Sequence, residues 1–338
     1  LTTADMFNLD NEKVEGIVAE EGGMSSHAAI LARSMGIPTV SGIRDLPRLL
    51  RDGDVVVLDA TEGELSTTPS EAELAEATSA SQRWKQSRSA DAAPAEEAKH
   101  ALRDGTPVHL LGSCGSAGEA DLVRTFGMEG IGVFRTELQF LADQKRPTED
   151  ALVASYRQVL AAQGDRPLSF RLLDVMAATL DVDRHQERNP AMGRRGVRGL
   201  LANQEVLRMQ LRAILRAAHG HEQVAVLVPF VTSLSDLQRV KAAMVEERVG
   251  LMKAKVACAD DVQIAPIVEV PAAAMSLGAL LNEADFAVVA IDDLQAHLLA
   301  ADRDNADVRA YHEMVHPAVF EILARMAKDA ERRQRPLL

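Results

Sequence analysis

The sequence predicts an α/β protein: a small domain of short strands around one helix, then a β/α barrel of the TIM type that looks incomplete. Three observations predict it. Residues up to about Pro69 read as small strands and turns, among them a short buried strand at Asp54–Asp59 and a turn at Glu62-Gly63-Glu64. Ser70 to about His100 is rich in Ala, Glu, Ser, Lys and Arg and holds the only tryptophan, Trp84. That composition, interrupted by Pro94, reads as a helical linker, partly mobile near Ser87 to Pro94. From Gly105 the pattern becomes strand, loop, helix, repeated.

Apolar runs stand at Val108–Leu111, Gly130–Phe134, Leu168–Leu172, Val224–Val228, Ile264–Val268 and Phe286–Ala290. Helical stretches such as Asn203–His219 and Leu234–Val249 separate them. Short apolar runs, each followed by a helix, suit a parallel sheet covered on both faces. Six such runs fall short of the about eight strands of a closed barrel, so the barrel is expected to lack its last strands. The predicted organisation is a partial first domain over 1–69, a helical linker over 70–103 and the barrel over 104–338.

Composition narrows the function classes. A chain of 338 residues with 47% hydrophobic content can bury one large core or two smaller ones. A net charge of -13 argues against a nucleic-acid surface. No apolar run approaches the roughly 20 residues of a membrane span, and no signal peptide is legible. Cys114 and Cys258 lie far apart without metal-ligand spacing. They read as small hydrophobes in a cytoplasmic, reducing setting. The first residue is Leu1 rather than Met, which predicts part of a longer chain.

The most informative segment is Gly22–Gly42. It sets His27 behind two glycines and the hydroxyls of Ser25 and Ser26, at the start of a short helix that Gly36 ends and Pro38 keeps from resuming. Gly22 and Gly23 leave room beside the imidazole. Unpaired N–H groups and the helix dipole would face a phosphate carried on His27. A lone histidine is most often structural; this setting points to one that accepts and passes on a phosphoryl group.

Barrel enzymes carry their chemistry just beyond the C-terminal ends of the strands. There stand Arg135 and Glu137, Arg171 and Asp174, Glu269, and Asp292 with Asp293, while Arg303 follows a helix later. Arg194, Arg195 and Arg198 lie in the loop that begins at Asn189. Any one of these is most simply a solvated charge. Together, arginines around separated carboxylates suit a small phosphorylated carboxylate bound through a divalent metal.

The Gly22–Gly42 run closely resembles the phosphohistidine swivelling domain of enzymes that use phosphoenolpyruvate. Residues from about Gly105 to Asn305 resemble the phosphoenolpyruvate-binding barrel of the enzyme I branch of that family, which serves the sugar phosphotransferase system. The signatures are Gly130-Ile131-Gly132-Val133-Phe134-Arg135-Thr136-Glu137, Asn189-Pro190 with Gly193 and Arg195, Val268-Glu269-Val270-Pro271-Ala272-Ala273-Ala274, and Asp292-Asp293-Leu294 with Arg303 and Asn305. The resemblance covers nearly the whole chain. It implies that Arg135, Arg171, Arg195 and Arg303 hold phosphate and carboxylate, with Asp292 beside the substrate. It further implies that Glu269 and Asp293 hold Mg²⁺ and that His27 attacks phosphorus. His27 then swings away on the linker to a histidine phosphocarrier protein as pyruvate is released. A homodimer through the barrel is a further implication.

Two substitutions depart from that pattern. Leu173–Thr179 replaces a Gly-Gly-Asp-Lys stretch, so Thr179 stands for a lysine, and Asp292 stands where the family has Asn. A carboxylate in place of an amide donor should weaken anion binding unless it is protonated or joins the metal. The family's cysteine acid would follow Leu338, and its phosphocarrier-docking subdomain would precede Leu1. Two rival readings follow. One makes a nucleotide the phosphoryl partner, as in pyruvate phosphate dikinase and phosphoenolpyruvate synthase, towards which the Gly-Gly-Met-Ser-Ser-His-Ala-Ala run leans. The other is a degenerate, non-catalytic relative that senses a ligand or binds a partner. His219 and His221 are expected to make no metal site, Met6, Met24 and Met35 to be packing residues, and His185 and His297 have no partner that spacing suggests.

Overall fold

A computed structural model describes residues 14–20, 32, 37–90, 100–141, 146–175, 187–302, 305–312 and 315–338. His27 and the residues set around it (Gly22, Gly23, Ser25, Ser26, Gly36) lie outside the described residues. So do Met6, Met24, Met35, Pro94, Thr179, His185 and Arg303. The chain divides into two units, one mainly 1–98 and the other mainly 99–338.

In the first unit, β1 (Ile17–Ala19) pairs in parallel with β2 (Thr39–Ser41), with Val18 opposite Val40. Among its described residues, Ile17, Ala32, Ile37 and Val40 are the buried apolar ones. After a short helix α1 (Leu46–Leu49), β3 (Val57–Asp59) and β4 (Glu64–Ser66) form a hairpin. Asp59 closes its turn by accepting hydrogen bonds from the N–H groups of Thr61 and Glu62. The expected strand is thus its last three residues, and Glu64 already belongs to the return strand. The expected helix is α2 (Glu71–Ala90). Ser70 and Glu73 cap its start reciprocally, the Ser70 N–H donating to Glu73 Oε2 at 2.7 Å and the Glu73 N–H to Ser70 Oγ at 3.3 Å. The helix continues through Ser87 to Ala90.

The second unit opens with a small hairpin of β5 (His100–Ala101) and β6 (Pro107–Val108). Then come β7 (Leu111–Cys114), β8 (Gly130–Arg135), β9 (Leu168–Arg171), β10 (Val224–Val228), β11 (Gln263–Val268) and β12 (Val288–Val289). These six form one sheet in sequence order, every neighbouring pair parallel. Sequential order with helical returns is the wall of a β/α barrel; a doubly wound sheet would reverse its order part-way. The helices are α3 (Ala117–Thr125), α4 (Glu137–Leu141), α5 (Glu149–Gln163), α6 (Gly196–Ala202), α7 (Gln204–Ala217), α8 (Leu234–Lys253), α9 (Pro271–Met275), α10 (Leu277–Leu280), α11 (Ile291–Leu299) and α12 (Pro317–Arg333). Asn203 caps α7, and a Ser233–Asp236 capping box starts α8, close to both expected boundaries.

Alternation along the strands builds two layers. Val224, Val226 and Val228 face the helices with Leu211, Ile214, Leu237 and Val240. Ala225 and Leu227 face the other way with Ala265, Ile267, Phe286 and Val288, filling the concave side.

One expectation about the sheet is corrected. The first strand is not Val108–Leu111. Gly105 takes a φ of 87° beside Asp104, whose side chain accepts from the Thr106 N–H, and this turn draws Val108 into the small antiparallel hairpin. The sheet strand that follows, Leu111–Cys114, carries Gly112 and Ser113 and so has a weak apolar signature. Gly112 is there for closeness: a Cβ would lie 2.3 Å from Val123 Cγ2. The far edge carries one addition. Beyond β12, Leu337 bridges Ala287 in parallel, Val289 donates to the Leu338 carbonyl and Leu338 to the Ala287 carbonyl. These contacts extend the sheet edge by a single bridge, too short for a sequence pattern to reveal.

Outside the sheet, α7 presents Arg208, Arg212 and Arg216 on one face. Arg212 bridges Glu149 of α5 at 2.7 Å and Glu247 of α8 at 2.9 Å; Arg208 and Arg216 extend the array to Glu246 and Asp150. Arg212→Ala is expected to cost about 1–2 kcal/mol, because two partly buried carboxylates lose their shared partner. Denaturant titration at low and at high salt checks this, and the difference from wild type should shrink at high salt.

Candidate active site

Parallel strands in sequence order bring every C-terminal strand end to one edge, and β8 and β9 place Arg135 opposite Arg171. Glu137, 5% exposed, follows β8. Its Oε1 accepts from Arg171 Nε at 3.0 Å and from the Asp174 backbone N–H at 3.0 Å. Asp174 in turn receives Arg195 as a fork, Nε to Oδ1 at 3.2 Å and Nη2 to Oδ2 at 2.7 Å. The same Nη2 stands 3.7 Å from Glu269 Oε2. Burial works against both guanidinium charges, but Glu137 with Asp174 (Arg171) and Asp174 with Glu269 (Arg195) outweigh it and hold them firmly protonated.

Glu269 follows β11 and is 1% exposed. Its Oε1 accepts from the Phe230 backbone N–H at 3.2 Å, while Oε2 is buried and accepts no hydrogen bond. Burial, then the charges of Asp174 and Asp293, push its carboxyl up to about 8, against the pull of Arg195 and Arg171. Asp293, half-buried in the first turn of α11, therefore belongs to the same electrostatic cluster. Asp292 beside it is exposed. Arg135 stands 3.7 Å from Glu119, whose Oε2 also takes the Gly115 N–H, and Arg135 Nε is buried without a hydrogen-bond partner.

The three arginines divide, Arg198 standing in α6 rather than in a loop. Arg195 and Arg198 turn onto Phe230, whereas the Arg194 backbone N–H donates to Glu187 and its guanidinium lies 3.8 Å from the same carboxylate. Among the described residues no group of three or more His, Cys, Asp or Glu is arranged to hold a metal. Mg²⁺ needs only one or two protein carboxylates, the rest being water and substrate oxygens. The orphaned Glu269 Oε2, with Asp293 in its field, meets that lower demand. Cys114 is buried, and burial followed by Glu119 pushes its thiol up to about 12, so it is no nucleophile.

Three participants were not foreseen. Gln210 of α7, fully buried, donates to Thr136 Oγ1 at 2.8 Å and accepts from the Leu173 N–H at 3.0 Å; Thr136 donates to the Arg171 carbonyl at 2.8 Å. This polar network fastens the β8 and β9 ends, and its signal was legible: a glutamine in the apolar stripe of Val206, Leu207, Leu211 and Ile214. His297 does have partners. Its Nδ1 donates to the Glu269 carbonyl at 2.9 Å and its ring lies 5.6 Å from the Phe230 ring. Phe230 itself carries no sequence signal for its role.

The family described as PEP-utilising enzyme, PEP-binding domain matches residues 89–337, and PEP-utilising enzyme, mobile domain matches residues 1–63. The chain belongs to the phosphoenolpyruvate-utilising enzymes. Among curated relatives of this family, a phosphoenolpyruvate-protein phosphotransferase of Geobacillus stearothermophilus is 31% identical over 98% of this chain and 57% of its own length. Its counterpart from Streptococcus equinus is 31% identical over 98% and 58%, and that of Haemophilus influenzae 30% over 96% and 56%. The chain thus spans somewhat more than half the length of the curated relatives it matches. A solved citrate lyase of Burkholderia xenovorans aligns at a TM-score of 0.40 and 14% identity, over 71% of this chain and 64% of that one. No helix among the described residues is long and apolar enough to cross a membrane.

Proposed function

We propose that this chain carries out phosphoryl transfer from phosphoenolpyruvate to His27 and on to a histidine phosphocarrier protein, with release of pyruvate. The observation that carries the reading is the clamp at the strand ends: Arg195 forked onto Asp174, facing a buried Glu269 whose Oε2 accepts no hydrogen bond. Residues 1–69 are then the phosphohistidine domain, 70–103 the linker and 104–338 the phosphoenolpyruvate-binding barrel.

Arg135, Arg171 and Arg195, with Arg303, bind the carboxylate and phosphoryl oxygens. Glu137 and Asp174 fix the aim of Arg171 and Arg195, so that little reorganisation is left for the reaction itself. Glu269 and Asp293 are the residues that would hold Mg²⁺, which when bound neutralises charge on the transferring phosphoryl group. His27 presents a neutral imidazole nitrogen to phosphorus. A nitrogen–phosphorus bond forms as the bond from phosphorus to the enol oxygen breaks; the enolate leaves with the electron pair and takes up a proton to become pyruvate.

Intact-protein mass after incubation with Mg²⁺ and phosphoenolpyruvate tests this. Wild type should gain one acid-labile phosphoryl group (about 80 Da), and His27→Ala should gain none. An unmodified wild type would overturn the reading and favour a ligand-sensing relative, in line with Thr179 and the acidic Asp292.

A further inference from the structure

We infer that Phe230 is a positioning residue for the arginine pair Arg195 and Arg198, an aromatic platform that also ties the pair to the Glu269 strand end. Its functional consequence rests on the phosphoenolpyruvate reading above; its geometry does not.

Phe230 follows Pro229 at the end of β10 and is 1% exposed. The guanidinium carbons of Arg195 and Arg198 lie 4.8 and 4.7 Å from its ring centroid. Two like charges three residues apart at the start of α6 repel and, in water, would separate. The negative face of an aromatic ring attracts both, and more strongly where water is excluded. Each guanidinium keeps polar partners at its edge: Asp174 for Arg195, and Thr232 with the Met192 carbonyl for Arg198. The ring therefore stands close beneath both charges while their N–H groups stay bound to these partners.

The backbone of Phe230 is equally committed. Its φ is 58°, in the left-handed region where a bulky side chain is rarely found. That conformation delivers its N–H to Glu269 Oε1 at 3.2 Å. Gly196 makes the approach possible, since a Cβ there would stand 2.7 Å from Phe230 Cβ, and the Val197 N–H holds the Pro229 carbonyl at 3.0 Å. On its edge the ring meets His297, which donates to the Glu269 carbonyl. One residue thus joins the two arginines at the start of α6, the β11 carboxylate and α11. A phenylalanine that merely filled the core would need neither the strained backbone nor the two cations.

Two variants test this on the whole chain: Phe230→Leu, which keeps an apolar side chain but loses the ring face, and a phenylalanine fluorinated around the ring at position 230, which keeps the shape and removes the negative face. Phosphoenolpyruvate affinity in the presence of Mg²⁺ is measured by titration calorimetry, and water exchange of the Arg195 and Arg198 Nε–H groups by NMR. Both variants should bind phosphoenolpyruvate roughly tenfold more weakly and exchange those protons faster, with the fluorinated protein melting at the wild-type temperature. If the fluorinated protein matches wild type in affinity and exchange, the inference is overturned. Should wild type bind no phosphoenolpyruvate, the proposed function fails, and the exchange rates alone decide the platform: faster in both variants supports it, unchanged in the fluorinated protein refutes it.

Discussion

Glu269→Gln is expected to stabilise the chain above neutral pH in the absence of Mg²⁺ and, in the same protein, to abolish phosphoryl uptake from phosphoenolpyruvate. The carboxyl is pushed from an ordinary 4.5 up to about 8, chiefly by burial. Between those values the folded chain holds a proton that the unfolded chain has released. Stability therefore falls as pH rises from about 4.5 and goes on falling through about 8, above which Glu269 is ionised in both states and the burial penalty is fully present. Glutamine cannot ionise, so the variant should show a flatter profile across this window. The gap at alkaline pH is expected to reach about 2–4 kcal/mol, less than the full shift would give because Asp174, Asp293 and Arg195 readjust. Thermal melts from pH 5 to 9 read it directly. Equal slopes for the two proteins would show that Glu269 is ionised throughout. The activity moves in the opposite sense, since a hard cation needs the ionised oxygen that glutamine lacks. Mg²⁺ with phosphoenolpyruvate should stabilise wild type at pH 8 and leave the variant unchanged.

Gly196→Ala should be nearly as damaging, for a reason of space. Gly196 has a φ of 53°, and a Cβ would lie 2.7 Å from Phe230 Cβ and 3.1 Å from both Asp174 Oδ1 and the Pro229 carbonyl oxygen. Alanine meets the left-handed penalty of about 1–2 kcal/mol and, in addition, the cost of displacing close-packed neighbours, about 1–3 kcal/mol. The neighbours displaced are the Asp174 that aims Arg195 and the residue whose N–H reaches Glu269. A destabilisation of about 2–4 kcal/mol by denaturant titration, with weakened phosphoenolpyruvate binding, is the expected result. Gly118→Ala is the control. It lies in α3 with nothing within 4 Å of the added Cβ, so it should be neutral or stabilise by up to about 1 kcal/mol. Equal effects of the two substitutions would remove the steric argument.

The two predictions draw on different parts of what could be read in advance. Glu269 stood out in the sequence because it follows a short apolar strand in Val268-Glu269-Val270-Pro271. Gly196 did not, since glycines are common in loops and only a three-dimensional neighbour shows which of them has no room for a methyl group. The same division runs through the fold. The strands at Gly130, Leu168, Val224 and Ile264 were legible because a parallel strand buried on both faces is a continuous apolar run. The first strand was misplaced by three residues because Gly112 and Ser113 interrupt that signal while the hairpin at Gly105 captures Val108.

By itself the sequence determined that the second unit is a strand–helix alternation with a parallel sheet, and which arginines and carboxylates stand at the strand ends. Those properties are local: side-chain periodicity and position relative to a strand end are written in consecutive residues. Only the tertiary structure decided which charges meet. It joined Arg195 to Asp174 rather than leaving it to solvent, sent Arg194 to Glu187, left Asp292 exposed while drawing Asp293 into the cluster, and set Phe230 against His297 and the guanidinium groups of Arg195 and Arg198. Pairing across loops depends on distances between residues far apart in the chain, and on a dielectric that exists only once the core has excluded water.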